Sequence, residues 1–381
     1  MNSAIRRPSR RQLLKTGLAA AGLRAIPSFA AGLSGRALVC IYLFGGNDSN
    51  NMLVPLADYD AYAAVRGPLA LPKGSLLPVT SAADQIQYGF HPALSEVAQL
   101  FEAGSLAVVA NVGPMTPPGM VDSYLSYFYD GYATPQWAAE MAEVTAQDRK
   151  SLFVDLPNLY PANGNRSSSL SLVAPGVSST RQLRQAVNDA AGNGGAEWRV
   201  QFPQTGLGQD LRQAAALIRA AGSLNMERQI FLVGLSGFQT QTNSVEAQSA
   251  LYRELSTAMA AFYSATQEMG RERDVTTYTD SEFSRTLKPD RRGFPAPAWG
   301  GHQLAMGGGV LGRGVYGVFP APALGGPQDP QQTGVFLPTS SKEQYYATFA
   351  NWFGMPPYEI RKHLPGLANS GRMTLGFTVN G

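Results

Sequence analysis

The residues best equipped for chemistry fall in short polar segments that follow apolar runs. Asp48 lies in Gly45-Gly46-Asn47-Asp48-Ser49-Asn50-Asn51, directly after the run Ala37–Phe44. Glu282 and Arg285 lie in Ser281-Glu282-Phe283-Ser284-Arg285-Thr286, and the same stretch extends to Trp299-Gly300-Gly301-His302. A further polar turn, Ser236-Gly237-Phe238-Gln239-Thr240-Gln241, follows Arg228–Leu235. Ligands in open α/β sheets gather at the carboxyl ends of strands, so these segments are the candidate sites. Each has a plainer reading. Asp48 can be an Asx-type turn residue bonded to loop amides. Glu282 and Arg285 can be a structural ion pair or a helix cap. His302, beside two glycines, can face a site or simply pack. Ser284 and Thr286 carry hydroxyls, but no histidine lies within their segment to act as a base.

The elements that must position these residues read from apolar pattern. Ala37–Phe44 (ALVCIYLF) and Ser105–Val112 are continuous apolar runs and predict buried strands, as do Arg228–Leu235 and Asp274–Thr279. Tyr59–Val65, Pro92–Ala103, Gly208–Ala221, Val245–Gly270 and Lys342–Phe353 have helical spacing. Gln303–Gly309 returns to the sheet, and the Gly-rich run to Gly317 supplies turns rather than a phosphate loop. Asp280–Trp299, with Lys288, Arg291, Arg292 and several prolines, is expected to be a long loop. Strands alternating with helices predict an α/β fold with a mainly parallel sheet and helices on both faces.

The first thirty residues have the features of a twin-arginine signal. Ser9-Arg10-Arg11-Gln12-Leu13-Leu14-Lys15 precedes the apolar run Thr16–Leu23, and Ser28-Phe29-Ala30 offers small residues for cleavage. The predicted organisation is therefore a signal over residues 1–30 and one domain over residues 31–381, periplasmic or secreted. Arg24 and Pro27 break the apolar run, which is too short for a membrane anchor. Removing Arg6, Arg7, Arg10, Arg11, Lys15 and Arg24 from 30 Lys+Arg leaves 24 against 27 Asp+Glu, so the mature chain carries about −3. No polybasic patch remains to favour nucleic acid. Cys40 is the only cysteine, which excludes an intramolecular disulfide, and its apolar neighbours predict a core thiol. His91 precedes Pro92 and is expected to cap or pack at a helix start, while His363 is expected on the surface. Tyr124, Tyr127, Tyr129, Tyr132 and Trp137 suit packing better than a sugar-stacking wall.

Taken together, GGNDSNNMLVP, GFHPAL, SEFSRTL, AWGGH followed by MGGGVLGRGVYG, and EQYYATFANWFG resemble the bacterial domain-of-unknown-function 1501 family from about Ala37 to Phe377. That family is similar to the alkaline phosphatase and sulfatase superfamily. The resemblance implies an alkaline-phosphatase-like three-layer sandwich, in which a mostly parallel central sheet carries helices on both faces. It implies hydrolysis of phosphate or sulfate esters at a site with one or two divalent metals. On this reading Asp48 and His302 hold one divalent metal (Zn, Mn or Ca), and Arg285 and Glu282 are the catalytic pair, with Arg285 binding an oxyanion. Asn51 matches the asparagine that follows the first ligand. The chain departs from the family pattern where Gln239 and Gln241 replace an Asp and a His, and where Ala296 and Pro297 replace an Asp-His pair. Neutral amides, alanine and proline cannot offset the charge of a cation, so the resemblance implies a degenerate metal site. The implied partners are the export machinery and an anionic ester or an envelope component. The alternative is a non-catalytic binding or assembly protein on the same scaffold.

Overall fold

The computed structural model describes residues 35–115, 151–155, 168–175, 185, 187, 198–223, 228–239 and 244–379. The expected signal, the aromatic group from Tyr124 to Trp137, and Gln241 lie outside the described residues.

The chain begins with β1 (Arg36–Phe44), then β2 (Leu53–Pro55), α1 (Tyr59–Arg66), β3 (Leu77–Thr80), β4 (Gln87–Phe90), α2 (Ser95–Glu102) and β5 (Leu106–Gly113). It continues with β6 (Ser151–Asp155), β7 (Ser168–Pro175), α3 (Gly206–Arg219), β8 (Arg228–Ser236), α4 (Ser244–Glu268) and β9 (Val275–Asp280). The last elements are β10 (Ser284–Pro289), β11 (Pro295–Ala298), β12 (Gly301–Gly307), β13 (Val315–Tyr316), β14 (Ser340–Ser341), α5 (Lys342–Phe353) and α6 (Pro357–His363).

One nine-stranded sheet runs β13-β5-β12-β9-β1-β8-β7-β6, with β14 also on β5. At its centre β1 pairs in parallel with both β8 and β9, Cys40 lying between Leu232 and Tyr278. Only β7 and β12 run against the other strands of this sheet. The fold is thus mixed α/β with a mostly parallel sheet. The antiparallel β12 departs from a simple alternation, and the departure matters. Its first residues, Gly301 and His302, start at the edge where β1, β5 and β9 end.

The alternation of β1 explains the two faces. Val39, Ile41 and Leu43 are fully buried against Phe101 of α2, Leu211 of α3, and Leu255 and Phe262 of α4. Leu38 and Cys40 point the other way, toward Tyr345, Phe349 and Trp352 of α5 and Ile360 of α6. A period of two puts successive side chains on opposite faces, so a strand covered on both sides reads as unbroken apolar sequence. Each such side chain contributes roughly 1.5–3 kcal/mol on burial. Helices on both faces give an arrangement compatible with a three-layer sandwich. Among the described residues no helix is long and apolar enough to cross a membrane.

The predicted elements over Ala37–Phe44, Ser105–Val112, Arg228–Leu235, Asp274–Thr279 and the helices form within a few residues of their expected bounds. The expected loop Asp280–Trp299 is instead a hairpin. Its strands β10 and β11 pair antiparallel with an irregular register, Arg285 opposite Pro297 and Pro289 opposite Pro295. Proline has no N–H to give a ladder, so it hides such a strand from sequence patterns and confines it to small or edge pairings. A second small sheet, β2-β4-β3, packs beside it with α1.

Candidate functional site

Strands β1 and β9 deliver the loops Gly45–Asn51 and Ser281–Phe283 to one edge of the sheet, where β12 begins and α5 starts. The Gly45-Gly46 turn needs glycine. Both residues have positive φ, and a Cβ on Gly46 would sit 2.0 Å from the Phe283 ring. Between these loops lies a narrow cleft lined by Asn47, Ser49, Ser281, Ser284, Trp299 and Lys342, among others. Its interior space is on the order of a single water molecule.

Asp48 does not turn its carboxylate into that cleft. Its Oδ2 is ion-paired with Arg66 Nη2 at 2.5 Å, the two side chains being 6% and 0% exposed. Asn50 Nδ2 donates to Oδ1 at 3.3 Å. Arg66, at the end of α1, also donates from Nη1 to the carbonyls of Thr286 at 3.1 Å and Leu287 at 3.2 Å. The pair therefore ties the loop after β1 to α1 and to β10. The Asp48 carbonyl accepts from Gln248 at 2.7 Å and from the Tyr252 hydroxyl at 3.1 Å. Asn51 is likewise internal, donating to Leu69 O and accepting from the Tyr62 hydroxyl.

Arg285 is buried, and its guanidinium donates to backbone carbonyls. Its Nε donates to Gly46 O at 3.0 Å, Nη1 to Pro295 O at 3.4 Å, and Nη2 to the carbonyls of Gly45 and Phe238. The guanidinium also lies 5.1 Å from the Phe283 ring centre. Glu282 Oε2 accepts the Gly45 N–H at 3.1 Å. Glu282 and Arg285 thus grip the same glycine from its two ends. Burial raises the Glu282 pKa, while amide hydrogen bonds and Lys342 act in the opposite direction.

His302 is stacked on Phe319 at 4.2 Å between ring centres, and its Nδ1 accepts the Asn111 N–H at 3.1 Å. An imidazole that accepts at Nδ1 carries its neutral-state proton on Nε2. A nitrogen that carries a proton cannot ligate a metal. In this arrangement the His302 ring is a donor at Nε2, and burial pushes its pKa down to about 3. The motifs themselves do meet, because Ser49 Oγ accepts the His302 backbone N–H at 2.8 Å. The Asp48 carboxylate and the His302 imidazole do not converge as ligands, since each is committed to a different partner. Among the described residues no group of three or more His, Cys, Asp or Glu is placed to hold a metal ion.

Asp280 and Lys342, which the sequence did not single out, help shape the cleft. Asp280, the last residue of β9, is 3% exposed. Its Oδ1 pairs with Lys342 Nζ at 3.1 Å and accepts the Ser281 N–H at 2.8 Å, and its Oδ2 accepts the Tyr346 hydroxyl. Lys342 also donates to Ser281 O at 2.7 Å. Ser49 and Ser284 share a hydroxyl contact at 3.1 Å. Ser341 and Gln344 form a capping box that fixes the start of α5, and so the root of Lys342. An acid closing a buried strand and a lysine one residue past a Ser N-cap were the available signals, and neither says that the two meet across 62 positions. His91 caps as expected: Nδ1 accepts the Ala93 N–H at 3.0 Å before α2, and Nε2 faces Ser249 Oγ at 3.3 Å. Gln239 and the Ala296-Pro297 pair bring no acid or imidazole to this edge. Cys40 is buried, and burial together with Asp280 raises its thiol pKa, as suits a core residue.

No protein-family model matches the chain, and no curated protein does.

Proposed function

We propose that this chain is an exported binding or assembly protein, built on an alkaline-phosphatase-like scaffold whose ester-cleaving metal centre has been dismantled. The observation that carries this reading is the buried ion pair between Asp48 and Arg66. A carboxylate that holds a catalytic cation must be free to take it, and must be joined by other anionic or imidazole ligands. Here an arginine neutralises the carboxylate from within the fold. The Arg285 guanidinium, engaged with backbone carbonyls, supports the same reading, because an oxyanion would have to displace those bonds. The cleft at the carboxyl edge is then a place to bind rather than to hydrolyse.

The test is direct. The purified chain should contain no stoichiometric Zn, Mn or Ca by elemental analysis and should not turn over p-nitrophenyl phosphate or p-nitrophenyl sulfate. Stoichiometric metal together with turnover abolished by Asp48→Asn would overturn the proposal. Export is tested separately: replacing Arg10 and Arg11 with lysine should retain the chain in the cytoplasm, and undiminished export of that variant would remove the twin-arginine assignment.

A further inference from the structure

The hydrogen-bonding groups around the cleft are not balanced, and the imbalance points to a ligand class. The side-chain acceptors that line it are taken, while Asn111 Oδ1, against Gly300 and outside the lining, has no partner among the described residues. Asn47 Oδ1 accepts from the Tyr252 hydroxyl at 2.7 Å, and Gln303 Oε1 accepts from the Thr279 hydroxyl at 2.8 Å. Both oxygens of Asp280 have partners in Lys342, Ser281 and Tyr346. The Ser281 hydroxyl donates to Leu43 O and accepts from Asn47 N. The donors are not exhausted. Lys342 has three N–H groups, and its partners among the described residues are Ser281 O and Asp280. Ser49 and Ser284 hold two hydroxyl protons for one mutual contact, and Ser49 already accepts from His302 N. The Gln303 carbonyl is engaged while its amide NH2 has no acceptor among the described residues. All of these side chains line the same cleft.

We infer that the cleft binds the carboxylate of a small organic acid, with Lys342 and the Ser49–Ser284 pair as its donors. Lining side chains whose unused groups are donors select a ligand head that accepts. Lys342 is already paired with Asp280, so the cleft offers less than one full positive charge, which suits a monoanion better than a phosphate dianion. The interior takes about one water, so one carboxylate oxygen enters it and the rest of the ligand stays at the mouth of the cleft. Phe283 and Trp299 provide an apolar wall for the remainder of the ligand.

This inference rests on reading the cleft as a binding site, yet the two fail separately. Bound metal with ester turnover defeats the binding reading, whereas a metal-free, inactive chain indifferent to carboxylates defeats this inference alone. The experiment titrates the purified chain with acetate and propionate, and with acetamide, inorganic phosphate and sulfate as contrasts. Heteronuclear NMR follows the Gln303 side-chain amide, assigned by loss of its signal in Gln303→Met. Saturable shifts with both carboxylates are expected, none with acetamide, and binding of phosphate and sulfate weaker. Lys342→Met should weaken acetate binding by about tenfold or more, with Lys342→Arg retaining part of it. Equal response to acetamide, tighter binding of phosphate, or a Gln303 amide that stays still at high acetate would each overturn the inference. The last of these readouts is taken on the unaltered chain, with Gln303→Met serving only to assign the signal, so a Lys342 variant that fails to fold does not shield the inference.

Discussion

Two cations stand at the carboxyl edge of the sheet, each paired with a buried aspartate, and their surroundings differ in kind. Arg66 is fully buried, and its pairing with Asp48 at 2.5 Å joins three separate segments through side-chain and carbonyl bonds. Lys342 pairs with Asp280 at 3.1 Å while its side chain stays 21% exposed and borders the cleft. The first pair closes a joint between α1, β10 and the loop after β1. The second orients a lysine without using all of its donors. The same elementary interaction is structural where the cation is enclosed, and open to a recognition role where the cation is partly exposed beside a cleft.

Acid should distinguish these regions most strongly. His302 and His91 are held neutral by burial, with pKa values pushed down from 6.5 to about 3 and about 4. The unfolded chain binds more protons below pH 6.5, so the stabilising contribution is complete above that value and is lost as pH falls toward 4 and then 3. The loss should amount to several kcal/mol, read as a steep fall in melting temperature. Protonating His302 puts a second N–H against the Asn111 N–H, which sits next to Val112 of the cleft wall. His302→Asn, whose oxygen can replace Nδ1, should flatten the acid slope. A slope unchanged in that variant breaks the assignment. Glu282 acts with the opposite sign: its pKa is raised, so its contribution is present at low pH and lost as pH rises through the folded value.

Next in size is Arg66→Met. It strands the Asp48 carboxylate in a buried setting and should cost about 3–5 kcal/mol in chemical denaturation. Adding Asp48→Asn should return much of that loss. If the double variant is no better than the single one, the arginine acts by packing rather than by charge. Lys342→Met should cost less, about 1–2 kcal/mol, because the pair is partly solvated and Asp280 keeps Tyr346 and the Ser281 amide. A cost equal to that of Arg66→Met would erase the contrast between the two pairs. The smallest effect is expected for Ser284→Ala, about 1 kcal/mol or less, since Ser49 retains the His302 amide.

Much of the scaffold was legible because burial on both faces leaves an unmistakable trace. Ala37–Phe44 reads as a covered strand, and its neighbours at Ser105–Val112 and Arg228–Leu235 carry the same mark. The hairpin at Ser284–Ala298 was not legible. Its prolines withhold the amides by which strands are recognised, and its register is irregular. The candidate residues themselves were found in part. Asp48, Glu282, Arg285 and His302 do gather at the edge, but which atoms their side chains meet is fixed by contacts across long separations, such as Arg285 with Gly46 over 239 positions.

Sequence alone determined the alternation of strands and helices, the position of the polar loops after the strands, and a core place for Cys40, because local pattern and apolar content set these. Tertiary structure alone decided that Asp48 belongs to Arg66, that Arg285 grips carbonyls, and that Lys342 borders the cleft. The physical reason is that a charge takes the nearest compensating partner in space, and one-dimensional order does not record which partner that is.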